Sequence, residues 1–68
     1  MMNPDIVIVR EGDGYRLLHG HLRLATELGR TGEVNVDVRG EGKVKIVRVR
    51  DELQVRHEGQ RLPLYRQS

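Results

Sequence analysis

The sequence has no cysteine, and its only aromatic residues apart from histidine are two tyrosines. Without cysteine there are no disulfides and no thiolate metal ligands, which fits a reducing cytosol. The scarcity of aromatic rings argues against a protein that binds single-stranded nucleic acid by stacking bases. No apolar run approaches the roughly 20 residues that cross a bilayer, and residues 1–5 lack the pattern of a signal peptide. We therefore expect a soluble, cytoplasmic protein.

A strong excess of charge of one sign is also missing. The 68 residues include 12 Lys and Arg and 10 Asp and Glu, which gives a formal net charge of +2. The distribution is more informative, because most acids lie in turn-like segments while many basic residues lie on or beside strand-like runs. The candidates for contacts with a nucleic-acid backbone are Lys43, Lys45, Arg48 and Arg50. The alternative interpretation is a solvated, arginine-rich surface held by ion pairs.

The apolar pattern predicts a β-rich chain. Residues 6–9 form a continuous β-branched run, which indicates a central strand, and the glycines of residues 11–14 predict a hairpin to a second strand at residues 15–18. Residues 34–38 alternate as a half-buried strand does. In residues 43–50 the apolar positions change phase at Ile46 and Val47, which predicts a β-bulge or a change of neighbouring strand there. Residues 53–57 form a last short strand.

Helical spacing occurs once. Leu18, Leu22, Ala25 and Leu28 recur three or four apart, as do Leu24 and Leu28, so we predict a helix over residues 21–28 capped by Gly29. The tail contains enough apolar surface at residues 62–65 to dock on the core or on a partner protein. The predicted fold class is α+β, with one domain over residues 1–68 and a small mixed or antiparallel sheet of about five strands.

The junction between strand and helix is the main candidate site. A strand that turns through Gly20 into a helix directs the free N–H groups of the first turn, and Arg23, toward one point that favours an anion, most often phosphate. We therefore expect Gly20, His21, Leu22 and Arg23 to bind phosphate or nucleotide. The alternative is an ordinary helix start in which Arg23 pairs with Glu27.

Residues 6–38, about half of the chain, resemble the signature of the ParB/sulfiredoxin superfamily. The resemblance lies in a strand, a Gly-x-x-Arg turn at Gly20 and Arg23, a short helix that ends at Gly29, and a valine-rich strand. It implies that Gly20 lets the backbone approach phosphate, that Arg23 holds the phosphate, and that His21 occupies a turn position where relatives carry His or Glu. In that family the turn binds CTP or ATP, and some members are linked to DNA cleavage. Because sulfiredoxins need a reactive cysteine, their chemistry is excluded here.

Catalytic candidates are confined to histidines. His19 and His21 flank Gly20 and could, with His57 and Asp37, be metal ligands in a nuclease, and His21 could act alone as a general base. A His-x-His pair without a close third ligand is more often a polar strand end. The resemblance and the basic strands together predict a small ParB-like module of phage, plasmid or host DNA metabolism, monomeric or homodimeric, that binds DNA or nucleotide phosphate. The alternative is a non-catalytic adaptor or inhibitor that binds a protein through a sheet edge or residues 62–65.

Overall fold

A computed structural model describes residues 6–66; residues 1–5, in which the sequence shows no signal-peptide pattern, and residues 67–68 lie outside the description. The elements, in chain order, are β1 (Val7–Glu11), β2 (Gly14–His19), α1 (His21–Thr31), β3 (Glu33–Val38), β4 (Gly42–Val49), β5 (Glu52–His57) and β6 (Gln60–Arg66). The predicted α+β class with one helix is confirmed. Within the described range, α1 is too short and too polar to cross a membrane.

The strands form one mixed sheet in the order β1-β2-β6-β5-β4-β3. β2 runs parallel to β6, and all other neighbouring strands are antiparallel. The sheet curls until the two edge strands, β1 and β3, approach each other without hydrogen bonding, so the architecture is a half-barrel. α1 connects β2 to β3 and packs on the concave face.

Two strands differ from the sequence-based expectation in their position. β1 is an edge strand and not a central one: Ile8 is buried in the core, whereas Val7 is 40% exposed. The β-branched run suggested a central strand, but the curl of the sheet buries one face of an edge strand as completely as it buries a face of a central strand. Residues 60–66 form a sixth strand, so the apolar tail is an internal strand of the sheet between β2 and β5.

The phase change in β4 does not produce a bulge, but it does coincide with the predicted change of neighbouring strand, because residues 42–44 pair with β3 alone and residues 48–49 pair with β5 alone. The register of β4 is continuous through Ile46 and Val47 against both β3 and β5. Ile46 is fully buried on the concave face, and Val47 is buried on the convex face, where it lies opposite Gln54. Val47 lies between its cross-strand partners Glu33 and Gln54, so an apolar residue of this strand can be buried on the convex face without a bulge. The register shift found in the sheet lies elsewhere, between Val7 and Ile8 in the pairing of β1 with β2.

The helix is longer than the sequence indicated, and a different side of it is buried. α1 continues to Thr31 and ends at Gly32, whose positive φ of 85° and N–H bond to the Leu28 carbonyl (2.9 Å) form the C-cap; Gly29 lies inside the helix. Leu24 and Leu28 are buried. Leu22 is 85% exposed because it lies about 200° around the helix axis from Leu24. The predicted face through Leu22 is therefore wrong, and the pair of Leu24 and Leu28 is the correct one.

One polar cluster joins the first hairpin to the turn between β3 and β4. The ring of Tyr15 is fully buried, and its hydroxyl donates a hydrogen bond to the carboxylate of Glu41. Arg10 Nη1 lies 3.4 Å from both the Tyr15 hydroxyl and Glu41 Oε2, and the guanidinium lies 5.2 Å from the centroid of the Tyr15 ring. The cluster closes this end of the half-barrel.

We predict opposite effects of alanine at two glycines. A Cβ at Gly14 would lie 2.6 Å from the Pro63 carbonyl oxygen and 2.9 Å from the Tyr65 ring, so Gly14→Ala must displace β6 backbone. We expect a loss of about 1–3 kcal/mol in the free energy of unfolding. Gly29→Ala meets no atom within 4 Å and replaces a helical glycine, so it should add about 0.5–1 kcal/mol. Urea unfolding measures both; equal stability of the two variants would contradict the close approach of β2 and β6.

We also predict that Tyr15 makes the protein sensitive to alkali. Burial of the phenol, followed by its hydrogen bond to Glu41, raises the pKa of Tyr15 above its ordinary value of 10.0. The stabilisation is complete below that value and is lost as the pH rises through the folded-state pKa, because the unfolded chain releases the proton first. The difference in unfolding free energy between wild type and Tyr15→Phe should therefore decrease above pH 10.0. A difference that stays constant across that range would disprove the assignment.

Candidate functional site

The predicted turn is present at the start of α1. Gly20 has φ 95° and ψ 29°, a left-handed conformation, and its carbonyl accepts the N–H of Leu24 at 2.9 Å. α1 begins directly afterwards at His21, and its first turn contains no acidic residue. The free N–H groups and the positive end of the helix dipole are therefore exposed at this turn, as the sequence indicated.

The side chains of the turn do not converge. His21 lines a cavity at one side of α1 together with Arg48 and Arg66. Arg23 lines a different groove, whose other charged residues are Glu27, Glu33 and Asp37. Three carboxylates around one guanidinium make the surroundings of Arg23 unfavourable for an anion. Leu22 points to solvent between them. That Arg23 holds a phosphate stays a prediction, and its surroundings do not support it.

The four predicted nucleic-acid contacts are divided among three places. Lys43 and Lys45 alternate with core-facing valine and isoleucine and therefore lie on the convex face of β4. Arg48 follows Ile46 by two residues and lies on the concave side, where it lines the same cavity as His21. Arg50 lies in the turn between β4 and β5, with a positive φ of 59°. These residues do not form a single binding face.

A different set of cations does form a continuous row. Lys45 pairs with Arg56 across β4 and β5, and Arg56 pairs with Arg61 across β5 and β6. We call Lys45, Arg56 and Arg61 the cation row. Directly opposed residues of adjacent strands have Cβ atoms about 4.5–5.5 Å apart, and like charges at such positions destabilise a sheet. The row borders a groove of about 350 Å³ at the turn between β5 and β6.

Few acids neutralise the cation row. Lys45 Nζ lies 3.4 Å from Glu33 Oε1, and among residues 6–66 neither Arg56 nor Arg61 forms an ion pair. Glu58 lines the same groove, but its recorded contact is with His57, at 3.9 Å. The sequence-based interpretation missed Arg56 and Arg61 as site residues, because only the strand register places them beside Lys45. The signal that could have identified these two arginines is their outward-facing position on the last two strands.

Arg16 lies on the same convex face but, unlike Arg56 and Arg61 in the described range, forms an ion pair. Its Nε and Nη2 each donate to a Glu11 carboxylate oxygen at 2.6 Å, and these bonds lower the pKa of Glu11. Its guanidinium also lies 5.9 Å from the centroid of the Tyr65 ring, and Tyr65 donates a hydrogen bond to Asp13 at 3.3 Å. Arg16 is thus engaged within the protein and, unlike Arg56 and Arg61, is not available to an external anion.

The histidines are dispersed in the structure. His19 is exposed at the end of β2, His21 lies in the cavity beside α1, and His57 is half-buried in β5. Among residues 6–66 no three His, Asp or Glu side chains form a group that could hold a metal ion. The structure therefore does not bring His19, His21, His57 and Asp37 together as a metal site. A catalytic role of His19 or His21 stays a prediction.

Comparison of the chain with protein-family models, with curated proteins and with solved structures found no match.

We predict that Gly20 is required for its backbone conformation. A φ of 95° is costly for residues with a Cβ and most costly for β-branched ones, whereas asparagine tolerates left-handed conformations. Gly20→Val should lower the free energy of unfolding by about 1–2 kcal/mol or more, and Gly20→Asn by clearly less. Thermal unfolding of both variants tests this prediction. Equal losses would show that side-chain volume, and not φ, matters at this turn.

Proposed function

We propose that this protein binds the phosphate backbone of nucleic acid through the cation row on its convex face. The observation that carries the proposal is the direct opposition of Lys45, Arg56 and Arg61 on three adjacent strands. Such an arrangement weakens the isolated sheet and becomes favourable when an anion lies along it. Guanidinium groups suit this role because they bind phosphate with two parallel hydrogen bonds.

The spacing of the row suits a polyanion. Neighbouring strands are about 4.8 Å apart, so the row spans about 10 Å, and one strand of B-form DNA carries about three phosphates per 10 Å of its helix axis. Contacts of this kind fix position on the duplex without reading sequence. The helix lies on the opposite side of the sheet, so it does not enter a groove when the row contacts DNA. We therefore expect binding that depends on salt and little on base sequence.

The resemblance to the ParB/sulfiredoxin superfamily agrees with this proposal. It suggests a small module of phage, plasmid or host DNA metabolism with a second phosphate subsite for CTP or ATP at the Gly20 turn. The exposed N–H groups of the first turn of α1 support such a subsite, and the acids around Arg23 oppose it. The cation row is thus the stronger candidate for the first contact with nucleic acid.

A second candidate function is that of a protein-binding adaptor. β1 and β3 are the two edges of the sheet and are not hydrogen-bonded to each other, and Leu22 and Leu18 are 85% and 41% exposed near the start of α1. A partner could add a strand at an open edge. The main chain of residues 62–65 is less available to a partner than these edges, because residues 62 and 63 pair with β5 and residues 64 and 65 pair with β2.

Arg56→Gln is the decisive variant, because binding and stability should change in opposite directions. Loss of the central cation should weaken binding to a short DNA duplex about tenfold at low salt and reduce the salt slope by about 1. The same change removes two like-charge contacts, so the free energy of unfolding at low salt should rise by about 0.2–1 kcal/mol. Fluorescence anisotropy at several salt concentrations and urea unfolding provide the two measurements.

Arg30→Gln is the matched control, since Arg30 is exposed in the last turn of α1, on the side of the sheet away from the row. It should bind DNA like wild type. If Arg56→Gln and Arg30→Gln weaken binding equally, the row is not the binding surface. If Arg23→Ala alone weakens binding, the Gly20 turn is the phosphate site. If the wild-type protein does not bind duplex DNA at low salt, the adaptor function is favoured instead.

A further inference from the structure

The half-barrel has a cavity at the end opposite the Tyr15 cluster, between α1 and the concave face of the sheet. Its volume is about 110 Å³. The apolar residues that line it are Leu17, Leu24, Ala25, Leu28 and Leu53. Openings of this kind, at the mouth of a barrel or half-barrel, are common places for small ligands. The cavity lies on the other side of the sheet from the cation row.

The rim of this cavity is positively charged. Arg48 and Arg66 occupy core-facing positions of β4 and β6, two residues beyond the buried Ile46 and Leu64. Arg48 pairs with Leu53, and Arg66 pairs with Leu17, so each guanidinium extends from a position directly beside the apolar lining. Among residues 6–66 neither arginine forms an ion pair.

Two further charged or titratable residues complete the rim. His21, the first residue of α1, lines the cavity on the helix side, and Asp51 in the turn between β4 and β5 supplies the single carboxylate. With neutral histidine the formal charge of the rim is therefore +1. The N-terminal end of α1 adds a partial positive charge on the same side. Cations and a helix terminus thus surround one edge of an apolar cavity.

The combination defines the chemistry of a ligand. Inorganic phosphate would pair with the arginines but leave the leucine lining empty, whereas a neutral hydrocarbon would fill the lining and leave the guanidinium groups without an anion. We propose that the open end of the half-barrel binds an amphipathic anion, a short aliphatic chain whose carboxylate or phosphate head group pairs with Arg48 and Arg66 while the chain contacts Leu24 and Leu53. The volume suits a chain of about four to six carbon atoms.

Hexanoate and hexyl phosphate are the probes, with acetate and inorganic phosphate as head groups alone and hexanol as the chain alone. We expect saturable binding of at least one hexyl anion, seen as shifts of the leucine methyl resonances of the cavity. Affinity should fall about fourfold for each methylene removed from the chain. The preferred head group, carboxylate or phosphate, follows from comparing the two hexyl anions. Equal binding of acetate and hexanoate, and of inorganic phosphate and hexyl phosphate, would overturn the proposal.

Arg48→Ala should weaken binding of the preferred hexyl anion at least tenfold. Arg39→Ala is the matched control, because Arg39 is exposed in the turn between β3 and β4, at the other end of the sheet. It should bind like wild type. If Arg48→Ala binds the anion as tightly as Arg39→Ala, the rim arginine is not part of a site and the proposal is wrong.

Ala25→Leu provides an independent test. Ala25 lines the cavity but is exposed on α1, so a larger side chain there can enter the opening without displacing a buried residue. Leucine is also a good helix former, so the variant should unfold at or near the wild-type temperature. We expect it to lose hexyl-anion binding. A variant that unfolds like wild type and still binds the anion would place the ligand elsewhere and refute the proposal.

Discussion

The close approach of β2 and β6 at Gly14 is the constraint on which the structure depends. A Cβ at this position would lie 2.6 Å from the Pro63 carbonyl oxygen, so only glycine lets the two strands meet. This parallel contact joins the β1–β2 hairpin to the antiparallel run from β3 to β6 and makes one sheet of them. It also determines the register of β6, and with it which of its residues face the core. Leu64 enters the core, and Arg66 reaches the rim of the cavity.

The curl of the sheet separates two kinds of positive surface. On the convex face, cross-strand pairing aligns three cations, of which only Lys45 has an acidic partner within residues 6–66, whereas Arg16 on the same face is held by Glu11. On the concave side, Arg48 and Arg66 extend beyond the leucine lining. At the other end, Glu41 accepts from Tyr15 and contacts Arg10, which closes the half-barrel there. The acids therefore stabilise the fold, and the unpaired cations remain available for ligands.

Local sequence patterns predicted the structure correctly where one residue type dictates the backbone geometry. They failed where strands distant in the sequence decide which residues are buried. Gly20 marked the start of the helix correctly, because a left-handed turn favours glycine. Gly29 did not end the helix, since Gly32 supplies the positive φ and the capping bond to Leu28. The phase change at Ile46 and Val47 suggested a bulge or a change of neighbouring strand; the strand stays regular there, and only the change of neighbour from β3 to β5 is present. Leu22 fits the helical spacing but faces solvent, because the sheet covers the other side of α1.

The sequence by itself determined the α+β class, the single helix, the turn at Gly20 and the positions of most strands, because these follow from short-range periodicity and backbone preference. Only the tertiary structure decided which strands are neighbours. That order depends on contacts between residues far apart in the chain, such as Gly14 with Pro63, which no local pattern encodes. For the same reason the candidate sites changed. Strand pairing places Arg56 between Lys45 and Arg61, and it brings Arg48 and Arg66 to the rim of one cavity.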